Sequence, residues 1–461
     1  MVRRLMSLAM GLVALGSAGG AAAAVPAAAA ATVAPLPMAR LISHVSFATP
    51  PTTADCVKQL GIACYAPFQF QRAYNLGPLY KHGLNGKGQT IVIVDSYGYQ
   101  HIRGELKVFD KPFGLPAPPS FKIIHPAGKV PSYNPTARPM MFGWAIETSL
   151  DVEYAHAIAP GANIVLVETP VAETLGVQGF PQIVRAENFV IDHRMGNVIT
   201  QSFAAPEATF PSAHSILRLR SSFRNAAAHG VSMLAASGDS GATAPNSLDA
   251  QGFAATFFLH RAVSWPSTDP LVTAVGGTQL HLDAKGNHTS PDTVWNDTAL
   301  EQSPAASGGG LSQVFSEPFY QHGIGGLDGS RGVPDISMSA AVDGSALVFL
   351  DAKVGAGPAG FFLVGGTSEA SPEFAGIVSI ADQWAGHGLG LLNPAIYRLE
   401  RRSAGGIVDV TSGTNTVTFP QGGSNHTVVG FDAGPGFDLS TGVGTLNAAR
   451  FVPELVAASG G

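Results

Sequence analysis

Short apolar runs alternate with longer segments of helical periodicity along most of the chain. The apolar runs are strand candidates because they are brief and bounded by turn residues. They lie at 90–95, 163–168, 197–203, 231–237, 272–275 and 346–350. Apolar residues recur at helical spacing at 144–158, 181–194, 212–229 and 369–385. This alternation predicts an α/β fold with a mostly parallel central sheet flanked by helices on both faces.

Polar residues accompany the ends of three candidate strands. Asp95 closes the first run, Ser202 lies near the end of the third, and Asp239 follows the fourth. Functional side chains of a parallel sheet gather beyond the carboxyl ends of its strands. We therefore expect these three side chains near one edge of the sheet.

The first residues of the chain have the pattern of a secretory signal. Arg3 and Arg4 precede an apolar stretch shorter than the roughly 20 residues that a membrane-spanning helix needs. This predicts a signal peptide at about 1–24, a secreted product and no membrane anchor in the mature form. Residues 25–54 are rich in Ala, Pro and Thr and are interpreted as a flexible leader. The uniform texture over 55–461 indicates one large domain and, by default, a monomer.

Composition excludes some partners and adds one cross-link. Charged residues make up 13% of the chain, the net charge is -6, and no long basic run occurs, which argues against nucleic acid as a partner. The two cysteines are Cys56 and Cys64. In an exported chain they are expected to form a disulfide.

Two carboxylates lie within the candidate helix at 144–158. Glu147 and Asp151 are four positions apart and therefore share one face of a helix. If apolar neighbours such as Trp144 and Leu150 bury that face, the two groups can share a proton and one pKa rises. A carboxylate in this state can accept a proton from a serine hydroxyl. The spacing alone leaves a solvated acidic face as the alternative.

A candidate nucleophile, Ser368, ends the Gly-Gly-Thr-Ser segment at 365–368. The helix expected to begin there has a dipole that favours an ionised nucleophile. This segment resembles the serine region of subtilisins, and Val-Asp-Ser at 94–96 resembles their aspartate region. The His-Gly-Thr-His segment that supplies the subtilisin base is absent. A serine without a base is a poor nucleophile, so another group must replace histidine.

Several blocks in order resemble the sedolisin family of serine-carboxyl peptidases. The resemblance covers about 55–447 and includes the Glu147–Asp151 helix together with blocks at 64–67, 73–75, 275–278, 307–310 and 331–335. It implies a subtilisin-like fold and a triad of Ser368, Glu147 and Asp151. It also implies that Asp239 stabilises the oxyanion, for which the carboxyl must be protonated. The implied activity is that of a secreted serine-type endopeptidase, cleaving proteins or peptides through an acyl-enzyme at acidic pH. Asp95 is interpreted as structural.

The resemblance further implies one structural calcium ion (Ca2+). Asp409 and Val410 precede a Gly-Pro-Gly turn that is followed by Asp438. Carboxylates and turn carbonyls are the oxygen ligands that a hard cation prefers. The implied ligands are the side chains of Asp409 and Asp438 and the backbone carbonyls of Val410, Gly434 and Gly436.

Other interpretations stay open. The chain could be a catalytically impaired secreted binding protein on the same fold, or a tripeptidyl-type exopeptidase. It could also be a neutral-pH subtilisin using His156, although this residue follows Glu147 by nine positions and so lies on another face of the helix. Family members commonly carry a long propeptide, which the leader at 25–54 is too short to hold. The route of maturation is therefore open as well.

Overall fold

The computed structural model of the chain describes residues 36–37, 40–42, 45–172, 177, 179–249 and 253–460. The predicted signal peptide at 1–24 lies outside the described residues, as does the first part of the predicted leader. All described residues fall within one unit by their contacts.

Helices and strands alternate along the chain and are numbered in chain order. The helices are α1 (Thr53–Leu60), α2 (Pro67–Ala73), α3 (Gly77–Lys81), α4 (Ile102–Phe113), α5 (Met141–Ile158), α6 (Phe180–Asp192), α7 (Ala213–Leu217), α8 (Ser221–His229), α9 (Thr298–Glu301), α10 (Thr367–Ala385), α11 (Asn393–Arg401) and α12 (Ala448–Ser459). The strands are β1 (Leu36–Pro37), β2 (Arg40–Leu41), β3 (Cys64–Tyr65), β4 (Thr90–Ser96), β5 (Phe121–Ile124), β6 (Asn163–Thr169), β7 (Val198–Gln201), β8 (Phe203–Pro206), β9 (Ser232–Ala236), β10 (Pro245–Leu248), β11 (Ala254–Phe257), β12 (Ser264–Trp265), β13 (Thr273–Gln279), β14 (Thr293–Val294), β15 (Gly310–Ser316), β16 (Ser330–Val333), β17 (Ile336–Ser339), β18 (Ser345–Leu350), β19 (Gly360–Gly365), β20 (Ile407–Val408), β21 (Val417–Gln421), β22 (Ser424–Val428) and β23 (Thr445–Leu446).

The main sheet has eight strands in the order β14-β13-β9-β7-β4-β6-β5, with β17 paired beside β13. The β13–β14 pair is antiparallel, and the other pairs of this sheet are parallel. Strands β4, β7 and β9 are neighbours that run in the same direction. Their carboxyl ends, which carry Asp95, Ser202 and Asp239, therefore share one edge, as the strand pattern predicts.

Alternating side chains of the central strands enter two separate cores. Ile91 and Ile93 pack in the core that contains α5 and α10, whereas Val92 and Val94 pack with α6 and α8. Both faces are buried, which is the usual condition of a parallel sheet. Asp95 continues the odd-numbered series and so lies on the α5 side. The predicted α/β class, with helices on both faces, is confirmed.

Three segments differ from the sequence-based expectation. The helix expected at 212–229 is divided into α7 and α8, and Arg220 between them donates from Nη2 to Asp269 Oδ1 at 2.8 Å. The strand expected at 197–203 is interrupted at Ser202, and β8 leaves the main sheet to pair with β12 and β1. Strand β18 belongs to a separate sheet, where it pairs with β19 and β3. These departures arise from partners distant in sequence.

The amino-terminal part of the domain is fastened by the expected cross-link. Cys56 in α1 and Cys64 in β3 form a disulfide with their Cα atoms 5.9 Å apart. Helix α1 begins at Thr53, just inside the predicted leader, and Thr52 caps it by accepting a hydrogen bond from the Asp55 backbone N–H. Among the described residues, no helix has both the length and the apolar character to cross a membrane.

Candidate active site

Helix α5 runs through the core and carries both predicted catalytic carboxylates. Every residue from Gly143 to Ile158 is buried, and Glu147 and Asp151 are fully enclosed. The alternative of a solvated acidic face is therefore wrong. Helix α10 crosses α5 closely, because a Cβ at Gly376 would lie 2.7 Å from the Ile158 Cβ. This approach sets the two central helices side by side on one face of the sheet.

Ser368 lies in the first turn of α10, immediately after β19. Gly366 joins the strand to the helix with a φ of +111°, a backbone conformation that side chains with a Cβ rarely adopt. The Ser368 hydroxyl donates to the Ser202 carbonyl oxygen at 3.4 Å. The nucleophile candidate therefore lies at the sheet edge where β7 ends.

Asp151 is connected to Ser368 through Ser202. The Ser202 Oγ donates to Asp151 Oδ1 at 2.7 Å, while the Ser202 carbonyl faces Ser368. Burial raises the pKa of Asp151 well above its ordinary value, and the nearby carboxylates of Asp95 and Glu147 raise it further. The bond from Ser202 opposes this rise. Asp151 is thus a buried carboxyl group with a raised pKa, in contact with a group that orients it.

Asp95 adds a third buried carboxyl group beside the Glu147–Asp151 pair. It is paired in register with Glu168 of β6, and burial raises the pKa of Asp95 to about 7. The Thr148 hydroxyl lowers that pKa and the Glu168 charge raises it. Glu168 Oε2 lies 2.7 Å from His125 Nε2, whose side chain is 45% exposed. Carboxyl groups therefore continue from Asp151 toward the protein surface.

Asp239 lies just after β9 and contacts Thr367, the residue that precedes Ser368. Its Oδ1 accepts hydrogen bonds from the backbone N–H and the hydroxyl of Thr367, each at 2.8 Å. Its Oδ2 is buried and has no hydrogen-bond partner among the described residues. Burial raises the pKa of Asp239 to about 7, although Arg40 and Thr367 act in the opposite direction. The group is therefore oriented through one oxygen and can carry a proton on the other.

His156 does not take part in this arrangement. Its Nε2 lies 2.7 Å from the Pro116 carbonyl oxygen and 3.4 Å from Asp110 Oδ1. Burial lowers the pKa of His156 to about 4, so that the ring is neutral at neutral pH. The histidine thus faces α4 and the segment after it. The interpretation in which His156 is the base of a neutral-pH subtilisin has no geometric support.

Comparison with known proteins connects this arrangement to a family. The chain is 30% identical to kumamolisin of Bacillus sp. over 85% of its own length and 64% of that relative. It is 31% identical to sedolisin of Pseudomonas sp. over 58% of its length and 42% of the relative. The solved structure of Pseudomonas sedolisin, a serine-carboxyl proteinase complexed with pseudo-iodotyrostatin, superposes with a TM-score of 0.69 at 26% identity, covering 86% of this chain and 99% of that one.

The chain is a homologue of the sedolisin-family peptidases. Human tripeptidyl-peptidase 1 is also similar, at 31% identity over 68% of this chain and 52% of the relative. No family model matches the chain. The chain spans less than two thirds of the length of these curated relatives. The fold resemblance stated from the motifs is confirmed.

The two segments that resemble the sedolisin calcium site meet in the structure. The Gly436 N–H donates to Asp409 Oδ2 at 2.9 Å, and the Gly434 N–H donates to Asp438 Oδ2 at 3.2 Å. Burial raises the pKa of Asp438. Glu400 faces the same turn, since a Cβ at Gly436 would lie 3.2 Å from its Oε1. These oxygen donors suit a hard cation, although the described residues contain no group of three His, Cys, Asp or Glu side chains arranged around a metal.

The sequence assigns no role to two residues that contact the site or to a third that acts on it electrostatically. The strand pattern predicts Ser202 at the sheet edge but gives it no role, although its position after a strand is a usable signal. Thr367 precedes Ser368 and donates two hydrogen bonds to Asp239. Arg40 lies in the predicted leader and affects Asp239 electrostatically. No local pattern marks Arg40, because its position near Asp239 depends on how the leader pairs with strands far along the chain.

Proposed function

We propose that the chain is a secreted endopeptidase of the serine-carboxyl type, which hydrolyses peptide bonds through an acyl-enzyme at acidic pH. The observation that carries the proposal is that Ser368 is connected to two buried acidic groups, through Ser202 to the first and through its neighbour Thr367 to the second. One is the Glu147–Asp151 pair on α5. The other is Asp239, whose Oδ2 is free to hold a proton.

In the acylation step, Ser368 Oγ attacks the carbonyl carbon of the peptide and Glu147 accepts the hydroxyl proton. The carbonyl oxygen becomes an oxyanion and accepts a hydrogen bond from protonated Asp239. The intermediate collapses when the carbon–nitrogen bond breaks and Glu147 returns its proton to the leaving amine. The product is an ester between Ser368 and the acyl part of the substrate.

In the deacylation step, water attacks the ester carbonyl while Glu147 accepts a proton from the water. A second oxyanion forms and is stabilised by Asp239 as before. Its collapse releases the carboxylic acid and returns the proton to Ser368 Oγ. Asp151, oriented by Ser202, stabilises the protonated Glu147 formed in both steps by hydrogen bonding to it.

The pH dependence follows from these protonation states. Glu147 must accept a proton, which is impossible at a pH where both carboxyls of the pair are protonated. Asp239 must be neutral, and burial raises its pKa to about 7. Activity should therefore fall below the range in which the pair loses its first proton, and again as pH rises through about 7.

We further propose that one structural calcium ion is held near the carboxyl terminus. Side chains of Asp409 and Asp438 and carbonyls of Val410, Gly434 and Gly436 would supply the ligands. The ion would offset the charge of the clustered carboxylates and fix the turn before Asp438. It has no part in the reaction.

A tripeptidyl-type exopeptidase is a second candidate, which the similarity to tripeptidyl-peptidase 1 favours. The decisive experiment follows cleavage of a denatured protein from pH 2.5 to 8 beside Ser368→Ala, with mass analysis of the products. Internal fragments at acidic pH that are absent with the variant support the proposal. Tripeptides alone would support the exopeptidase, and a neutral optimum would overturn the carboxylate mechanism. Absence of cleavage from folded protein would favour the binding-protein alternative.

A further inference from the structure

Helix α4 and the segment 115–121 enclose a cavity of about 580 Å³. Its apolar lining includes Leu106 of α4 together with Leu115 and Phe121, and all three pack in or against the large core that contains α5 and α10. Pockets that hold small ligands have volumes of about 300–1,000 Å³. The cavity is therefore large enough to take up a bulky apolar side chain and the groups next to it.

This cavity lies at the edge of the main sheet opposite to the candidate active site. Phe121 is the first residue of β5, which runs parallel to β6 and, through it, to β4. The first residues of parallel strands lie at the edge opposite to their carboxyl ends, where Asp95 and Ser202 are found. A ligand in the cavity would therefore be separate from the cleft at Ser368.

Three cationic side chains border the cavity along one face of α4. Arg103, Lys107 and Lys111 follow one another at intervals of four residues, and all three are exposed. Arg103 is fixed in place, because its Nη1 donates to the Phe121 carbonyl oxygen at 2.6 Å and its guanidinium lies 4.7 Å from the centre of the Phe121 ring. Within the described parts of the chain, neither lysine forms an ion pair. This face is complementary to an anion, although the chain as a whole has a net charge of -6.

One carboxyl oxygen beside the cavity has no hydrogen-bond partner among the described residues. Asp110 lines the cavity with its side chain 8% exposed, and its Oδ1 is buried without a hydrogen bond. The nearby His156 Nε2 is 3.4 Å away, and it lies closer, at 2.7 Å, to the Pro116 carbonyl oxygen. Buried polar groups are nearly always hydrogen-bonded. The Asp110 carboxyl is therefore available to a ligand that enters the cavity.

We propose that this cavity binds the carboxyl terminus of a peptide whose last residue has a large apolar side chain. That side chain lies against Leu106 and Leu115, and the terminal carboxylate is held by Lys107 and Lys111. The Asp110 carboxyl, when protonated, donates a hydrogen bond to the same end of the peptide. The proposal rests on the proposed function for the source of its ligand, because hydrolysis of peptide bonds creates new carboxyl termini.

At acidic pH the charges around the cavity suit a peptide carboxylate. The α-carboxyl group of a peptide has an ordinary pKa of about 3.3–3.7, so it is ionised at about pH 5. Burial raises the pKa of Asp110 to about 7, so that at the same pH its carboxyl is neutral and does not repel the ligand. From α5, His156 and Glu153 face Asp110, and burial lowers the pKa of His156 to about 4 and raises that of Glu153 well above its ordinary value. Both are therefore neutral as well, and the charges that border the cavity are those of the α4 cations.

The first test measures binding in the full chain carrying Ser368→Ala, by calorimetric titration at pH 5.5. The probes are acetyl-Ala-Ala-Phe with a free carboxylate and the same peptide with a carboxyl-terminal amide. We expect the acid to bind at least tenfold more tightly than the amide, and the double variant Lys107→Gln/Lys111→Gln to bind the acid at least tenfold more weakly than the parent. The matched control is Lys58→Gln/Lys87→Gln, the same exchange at two exposed lysines elsewhere, which should bind like the parent.

The second test uses the pH dependence of the same binding. Between pH 5.5 and 8 the peptide carboxylate and the lysines keep their charges, whereas Asp110 ionises near pH 7. The Kd of the acid should therefore rise about fivefold over this interval, which corresponds to one added repulsion between unit charges at about 4 Å. Asp110→Asn should bind with a Kd that stays constant. A rise of equal size in Asp110→Asn overturns the proposal.

The outcomes separate this site from the proposed function. Equal Kd values for the acid in the parent and in Lys107→Gln/Lys111→Gln, or no binding at millimolar concentration, overturn the site, whether or not the chain with Ser368 intact cleaves peptide. Decanoate has a carboxylate and an apolar body but no peptide groups. If it binds more tightly than the peptide acid with the same dependence on the two lysines, the peptide assignment is overturned in favour of a fatty acid. Lysine-dependent binding of the acid supports the site, and it does so even if the Ser368 protein cleaves nothing from pH 2.5 to 8, a result that overturns the proposed function alone.

Discussion

Two buried glutamates on α10 should make the free energy of unfolding depend on pH, independently of catalysis. Glu369 and Glu373 are fully buried and one helical turn apart. Burial raises both pKa values well above the ordinary 4.5, and the proximity of Glu369 raises that of Glu373 further. The Tyr74 hydroxyl acts in the opposite direction on Glu373. No cation of the described chain contributes to either shift. Glu373→Gln tests this arrangement, because it keeps the shape of the side chain and removes the titration.

The size of the effect follows from proton linkage. A group whose folded-state pKa is raised stabilises the fold fully below its unfolded pKa, and this stability is lost as pH rises toward the folded pKa. While the buried carboxyl stays protonated, each pH unit lowers the free energy of unfolding by about 1.4 kcal/mol. The unfolded glutamate is half protonated at pH 4.5, so between pH 4.5 and 6.5 the loss is about 2.3 kcal/mol for one group that stays protonated in the fold. The free energy of unfolding of Glu373→Gln, relative to that of the parent, should therefore rise by about that amount between pH 4.5 and 6.5.

Urea denaturation at pH 4.5, 5.5 and 6.5 measures this change, with Ser368→Ala present in every protein to prevent self-digestion. The matched control is Glu317→Gln, the same exchange at a partly exposed glutamate, which should follow the parent at each pH. If the difference in free energy of unfolding between Glu373→Gln and the parent is the same at all three pH values, proton linkage at Glu373 is contradicted. A variant that becomes relatively less stable as pH rises would contradict it as well.

Three further predictions concern the site and the metal. Asp239→Ala should lower kcat about 10²–10³-fold. Asp239→Asn should retain activity and lose the decline near pH 7, because Thr367 holds the side chain so that its amide nitrogen takes the Oδ2 position. A pH profile of kcat for both variants checks this prediction. Ser202→Ala should lower kcat about 10–100-fold with little change in KM, since a hydrogen bond to a charged group contributes about 1.5–3 kcal/mol. An equal loss of kcat in Ser371→Ala, one turn beyond Ser368, would contradict this prediction. Chelation of calcium should lower Tm by several degrees, and Asp438→Asn should abolish this shift in Tm. An unchanged Tm in calorimetry with chelator would argue against a bound calcium ion.

Much of the fold could be predicted because its signals are local. The apolar run at β4 and the polar residue that ends it are adjacent in sequence, so both the strand and the sheet-edge position of Asp95 followed from the pattern. The spacing of Glu147 and Asp151 placed them on one face of a helix for the same reason. Burial of that face could not be predicted with equal force, because it depends on α10 packing against α5. The roles of the catalytic residues stay predictions that the experiments above test.

Local sequence was sufficient for the α/β class, the disulfide partners, the helix that carries the two carboxylates and the likeness to the sedolisin family. These rest on periodicity, residue type and motif order, which are properties of neighbouring residues. Long-range packing was needed to establish that Ser202 joins Ser368 to Asp151, that Asp239 has one oxygen without a hydrogen-bond partner among the described residues, and that β1 and β2 pair with β8 and β19. Each of these depends on strand pairings and helix crossings between segments far apart in the chain, and no local pattern encodes which edges are left available.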